Sequence, residues 1–150
     1  MTYFESVRAY TGNGRSELGI SWATKTVRVV IAEDESLFAD ALDALLELDE
    51  RIEVAGRARD GLAALRLVAA LRPDVILMDL DMPRINGIGA TRRITTDHPF
   101  TQVVILTAST EEEDVERARE AGAAAYITKD RVATDLVETL VEIALVEAAL

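Results

Sequence analysis

Asp79 closes the apolar run Val75-Ile76-Leu77-Met78, and Asp81 follows two residues later, ahead of Met82-Pro83. A second acidic group, Glu33-Asp34-Glu35, follows the run Val27-Arg28-Val29-Val30-Ile31-Ala32. Thr107 comes after Val103-Val104-Ile105-Leu106, and Lys129 comes shortly after the stretch Ala123 to Ile127. Carboxylates crowded within several ångströms raise one another's pKa unless a cation compensates them. Mg²⁺ is the natural compensator, because it is hard, prefers oxygen and binds through one or two carboxylates plus a phosphate. A carboxylate held in this way can attack a phosphoryl group and become an aspartyl phosphate. The Lys129 ammonium and the ion would steady charge on the equatorial oxygens, and the Thr107 hydroxyl could donate to one of them. Asp79 is the sharpest candidate acceptor, since its carboxylate starts at the rim of a buried strand.

Each of these residues alone has a plain structural explanation. Acids after a strand cap helices, threonine favours strands, and a loop lysine is ordinarily solvated. Together they are harder to dismiss, because four of five strands would end in compatible chemistry by chance. Only the second strand contributes nothing comparable.

The elements that must position them alternate regularly from Val27 onward. Strands are expected at Val27–Ala32, Ile52–Ala58, Asp74–Met78, Val103–Leu106 and Ala123–Ile127. Helices are expected over Glu35–Leu48, from Asp60 to Leu71, around Gly89–Thr96, after Thr110 and over Thr134–Ala149. Asp60 and Thr110 are the candidate caps, and Arg72-Pro73 stops the second helix. Five strand–helix units with short links make a doubly wound α/β fold, a five-stranded parallel sheet with helices on both faces. Its function gathers at the carboxyl ends of the strands, at the switch point of the winding.

Residues 1–26 form a separate N-terminal extension, and 27–150 the domain. The extension has no sustained period, yet holds Tyr3, Phe4, Tyr10 and Trp22, four of the chain's seven aromatics. It reads either as a disordered extension or as an arm docked on its own or a neighbouring domain.

Composition narrows the function classes. The 150 residues carry 16 Lys+Arg against 27 Asp+Glu, a net charge of −11, with one histidine and no cysteine. Disulfides and cysteine zinc sites are excluded, and a reducing, cytoplasmic setting fits. No apolar stretch approaches the ~20 residues that span a bilayer, and no secretory signal opens the chain. The acidic balance repels nucleic acid and anionic lipid, so this segment is not expected to bind DNA by itself or to bind a membrane.

In this order and spacing, the motifs resemble the receiver domain of bacterial two-component response regulators, the CheY-like, flavodoxin-like fold, over about Val27 to Ala149. Val29 to Glu35 resembles the family's acidic pair, which implies Asp34 as a direct Mg²⁺ ligand and Glu33 as a ligand or a partner through water. Val75 to Pro83 resembles the segment around the phosphorylated aspartate. That implies Asp79 as acceptor and metal ligand, with the backbone carbonyl of Asp81 also on the metal. Gly87 matches a loop glycine, Thr107-Ala108 the switch threonine and its small neighbour, and Tyr126 and Lys129 the switch aromatic and the lysine. The resemblance implies strand order 2-1-3-4-5 with five helices, a sensor histidine kinase as phosphoryl donor, slow self-dephosphorylation past Asp81 and Ser109, and no other enzyme activity. Two departures stand out: Glu33 occurs where many members have aspartate, and Asp130 follows the lysine where many have proline. The Lys129-Asp130 pair resembles the NarL/FixJ-type subfamily of transcriptional regulators, whose members usually carry a C-terminal helix-turn-helix. DNA would then be reached only through an output domain absent from this sequence, so the chain reads as an excised or a stand-alone receiver.

On phosphorylation, Thr107 is expected to move toward the phosphoryl group and Tyr126 to turn inward, repacking the face around the last strand. The last helix carries more apolar residues than one packing stripe needs. The surplus at Ile143, Val146 and Leu150 is expected to meet a partner, either a second copy in a homodimer or an output domain. Two rival readings are a degenerate receiver acting as an interaction module and a haloacid-dehalogenase-like phosphohydrolase. The second is disfavoured because Glu33 and Asp34 precede the candidate nucleophile and 150 residues leave no room for a cap domain.

Overall fold

The computed structural model describes residues 2–3 and 26–149. Strand β1 (Thr2–Tyr3) is followed by β2 (Val27–Ala32), α1 (Ser36–Glu47), β3 (Ile52–Ala58), α2 (Gly61–Leu71) and β4 (Val75–Asp79). Then come α3 (Gly87–Asp97), β5 (Gln102–Thr107), α4 (Glu112–Glu120), β6 (Ala125–Thr128), a 3₁₀ turn at Lys129–Arg131, and α5 (Val132–Ala149). The sheet runs β1-β6-β5-β4-β2-β3. Its five parallel strands thus follow the expected 2-1-3-4-5 order with five helices. The sequence reading did not foresee the sixth strand, β1, which pairs antiparallel with β6 at the sheet's edge.

The central strands are apolar on both faces because both faces are covered. Val29 and Ile31 point into one core cluster with Ala39, Leu42 and Leu46 of α1 and Leu136, Leu140 and Ile143 of α5. Val30 and Ala32 point the other way, onto Ala64, Val68, Ala90, Ile94 and Ala118 of α2, α3 and α4. The period-2 alternation of each strand decides which helices it meets. Each fully buried leucine in these layers contributes roughly 1.5–3 kcal/mol.

Local signals explain the boundaries, with small corrections. Asp60 caps α2 as expected, accepting from the Ala63 N–H at 2.8 Å. Arg72 ends that helix in the left-handed region, at φ 48°, before Pro73. Asn86 caps α3, so the helix begins two residues before Gly89. Thr110 does not cap α4: the N-cap is Glu111, whose side chain makes no capping hydrogen bond. Ile143 overturns an expectation. It is 1% exposed within the core that α1 and α5 share, so this side chain is not available to a partner. The side chain of Val146 and all of Leu150 lie outside the described residues.

Register then sets the functional edge. Ala32 pairs with Met78, Asp79 with Leu106, and Thr107 with Thr128. The winding reverses between β2 and β4, so the loops leaving these neighbours diverge and open a crevice. Two glycines let the backbone close around it. A Cβ on Gly87 would lie 2.3 Å from the Asp79 carbonyl oxygen, and one on Gly61 would lie 1.8 Å from that of Ile85. Both obstacles are backbone, which no rotamer change relieves. Gly61→Ala should therefore destabilise the domain by about 2 kcal/mol or more, read as a lower urea midpoint with an unchanged slope.

Candidate functional site

Glu33 and Asp34 leave β2, and Asp79 ends the adjacent β4. Each offers a carboxylate oxygen within 4.8 Å of the others. Glu33 and Asp79 are buried while Asp34 is exposed at the mouth. Lys129, carried in by the turn after β6, donates to Glu33 Oε1 at 2.6 Å. The same ammonium stands 3.9 Å from Asp79 Oδ2 and 4.0 Å from Glu35 Oε2. It also lies 4.4 Å from the centroid of the Phe38 ring, a cation–π contact that no spacing in the sequence announced. Asp81 is exposed, and its backbone N–H donates to Asp79 Oδ1 at 3.3 Å. The sequence-predicted acids and lysine therefore meet on one edge.

The electrostatics follow from crowding. The Glu33 side chain is only 2% exposed, and among the described residues Oε2 has no hydrogen-bond partner. Burial first, then the neighbouring Asp79 carboxyl, push the Glu33 carboxyl up to about 8, against the opposing pull of Lys129. Burial alone would lower Lys129, but its hydrogen bond to Glu33 and the charges of Asp79, Glu33 and Glu35 hold it above its ordinary value. An orphaned buried carboxylate oxygen among three acids, with one ammonium to offset them, is a donor set suited to a hard divalent cation.

The switch candidates lie beside this cluster. Thr107 is buried at the end of β5, and its hydroxyl oxygen accepts from the Ser109 N–H at 3.2 Å. Tyr126 is 3% exposed, and its hydroxyl donates to the Ser109 carbonyl at 2.9 Å. Burial raises the Tyr126 phenol, with the hydrogen bond to Ser109 opposing it. The Tyr126 ring is thus turned inward in this structure. Ser109 itself donates to Asp114 at 2.5 Å, so one residue touches Thr107, Tyr126 and α4.

Sequence reasoning missed the end of β3. Arg57 and Arg59 line a recess of about 220 Å³ together with Glu33, Ser36 and Ala58. Arg57 is tied to Asp40 at 2.7 Å, and Arg59 reaches the Ser36 hydroxyl at 3.4 Å. Two arginines flanking the acid cluster were legible as positive charges, but their approach to Glu33 depends on the β2–β3 register.

Known proteins share this fold. Residues 29–141 match the response regulator receiver domain family, and the chain belongs to it. It is similar to the transcriptional regulatory protein YhcZ of Bacillus subtilis, 38% identical over 113 residues, which are 75% of this chain and 53% of that protein. PdtaR of Mycobacterium tuberculosis is 41% identical over 113 residues, again 75% of this chain and 54% of that protein. The chain spans about half the length of these curated relatives. Among solved structures, the NarL signal receiver domain of M. tuberculosis matches with TM-score 0.77 and 34% identity, covering 80% of this chain and 97% of that one. The response regulator domain of Thermotoga maritima CheB matches with TM-score 0.76 and 31% identity, covering 80% and 97%. The protein is a receiver domain of the two-component type, a regulatory module.

The raised Glu33 value has a signed consequence. In cation-free protein the folded state keeps a proton that the unfolded chain releases above about 4.5, so stability falls as pH rises from there to about 8 and levels off beyond. The thermal midpoint in chelator should drop by on the order of 5 °C across that window. Glu33→Gln should flatten the drop, as followed by circular dichroism.

Proposed function

We propose that Asp79 accepts a phosphoryl group from the histidine of a sensor kinase. The supporting observation is the cluster itself: Glu33, Asp34 and Asp79 within 4.8 Å, an unpartnered Glu33 oxygen at its floor, and Lys129 over it. An Asp79 oxygen attacks phosphorus, the P–N bond to the donor imidazole breaks, and its electron pair returns to the imidazole nitrogen. Glu33, Asp34, Asp79 and the backbone carbonyl of Asp81 would hold Mg²⁺. When bound, the ion neutralises the acids and draws charge from the phosphoryl oxygens. Lys129 supplies the fixed positive charge that persists beside Asp79, and the Asp81 N–H already aims at one Asp79 oxygen.

The work place is the cytoplasm, where such kinases present their phosphohistidine. Among the described residues, no helix is long and apolar enough to cross a membrane. By analogy with its transcriptional relatives, the module would govern a DNA-binding output domain and act as a homodimer, reaching DNA only through that domain.

The switch runs through Thr107. Its hydroxyl leaves the Ser109 N–H for a phosphoryl oxygen, and Tyr126 is consolidated in the inward pose it already holds. Acetyl phosphate with Mg²⁺ should add the mass of one phosphoryl group to the parent and none to Asp79→Asn; equal gain in both would overturn the assignment. Thr107→Ala should still gain that mass but show a several-fold weaker phosphorylation-dependent rise in dimer by sedimentation.

A further inference from the structure

The receiver reading leaves β1 without a role. We propose that Thr2–Tyr3 is an intramolecular strand that closes the β6 edge of the sheet at Tyr126 and denies that edge to a second copy of the chain. Its bearing on signalling rests on Tyr126 as a switch residue, while the contact stands by itself.

β6 is the last of the parallel strands. One side of it pairs with β5 through Ala125, Tyr126, Ile127 and Thr128. The other side would present free N–H and C=O groups, a template for pairing with any extended chain. Proteins guard such edges with charge, proline, bulges or a cover. Ala125-Tyr126-Ile127 has neither charge nor proline. The opposite edge, β3, differs: it carries Glu53 and Arg57, and its pairing with β2 shifts register between Val29 and Val30. The β6 edge is covered instead. Thr2 lies opposite Tyr126 and Tyr3 opposite Ala125, in antiparallel register. Threonine and tyrosine both favour strands.

The cover lands on the residue whose position matters. The backbone of Tyr126 is paired with β5 on one side and β1 on the other, while its hydroxyl is held by Ser109. A strand laddered on both sides resists the local opening that would let the ring swing out. β1 therefore favours the inward tyrosine. It also occupies the edge between α4 and α5, so a second copy approaching there must meet or displace it.

The chain has no natural cysteine, which makes disulfide trapping clean. In the full chain, Tyr3→Cys with Ala125→Cys should oxidise to a bridge within one molecule, since opposed antiparallel residues hold their Cβ atoms about 4.5–5.5 Å apart, a small backbone shift from bridging distance. Thr2→Cys with Ala125→Cys, a pair one residue out of register, should not. A Thr2→Pro/Tyr3→Pro variant of the full chain removes both N–H donors of β1. Hydrogen exchange across Ala125–Thr128 should then quicken about tenfold or more, with the other strands unchanged, and the dimer fraction should rise. Unchanged exchange in β6, equal trapping of the two cysteine pairs, or an unchanged dimer fraction would each overturn the proposal. Asp79 labelling by acetyl phosphate should persist in the proline variant, which separates failure of this contact from failure of the receiver reading.

Discussion

Mutual repulsion among buried acids is the constraint on which the rest of this domain depends. Glu33 and Asp79 are both withdrawn from water, and Asp34 joins them at the mouth. Nothing in the local sequence wants these groups together. They are held by the parallel pairing of Ala32 with Met78, which sets the next residues of two strands side by side. The cost appears in Glu33, whose carboxyl is pushed up to about 8 although an ammonium touches it. A site strained in this way accepts positive charge readily, and a cation or a phosphoryl transfer can use that bias.

Such a cluster needs a stiff frame. β2 and β4 lie at the middle of the sheet, and Val29, Val30, Ile31, Val75, Ile76, Leu77 and Met78 are fully buried. Helices pack on both faces, so neither strand can slip without moving its entire apolar set into the wrong layer. Gly87 adds a second restraint, bringing the start of α3 against the Asp79 backbone, where its N–H bonds the Leu80 carbonyl at 3.0 Å. Core packing and site geometry are the same interaction seen from two ends of a strand.

Much of this was legible in the sequence because it is carried by local pattern. β-branched runs ending in acid, threonine or lysine place those side chains at one rim once the strands are parallel. What escaped depends on distance in the chain. Phe38 beneath Lys129 and Arg59 beside Ser36 look like ordinary helix and loop residues until the register brings them in. Ile143 shows the opposite error. Counting apolar residues around α5 gave a surplus, but α5 lies on the sheet and against α1, a setting that buries more of a helix than a single stripe. β1 was illegible for another reason: two residues carry no period, and only the free edge of β6 makes them a strand.

Ser109 explains how a charge at one rim could reach a surface some distance away. Its N–H contacts Thr107, its carbonyl receives the Tyr126 hydroxyl, and its own hydroxyl bonds Asp114 in the first turns of α4. Three different groups of one residue thus face the proposed phosphoryl site, the aromatic and the helix. On the proposed reading, drawing the Thr107 hydroxyl away frees the Ser109 N–H, and the backbone there must find another partner or turn. Either response shifts the carbonyl that holds Tyr126 and the hydroxyl that holds α4. Coupling of this kind needs no long chain of contacts, because a single backbone unit is shared by all three elements. The inward tyrosine is therefore one setting of a short hydrogen-bonded turn, and on the proposed reading phosphorylation would bias that setting.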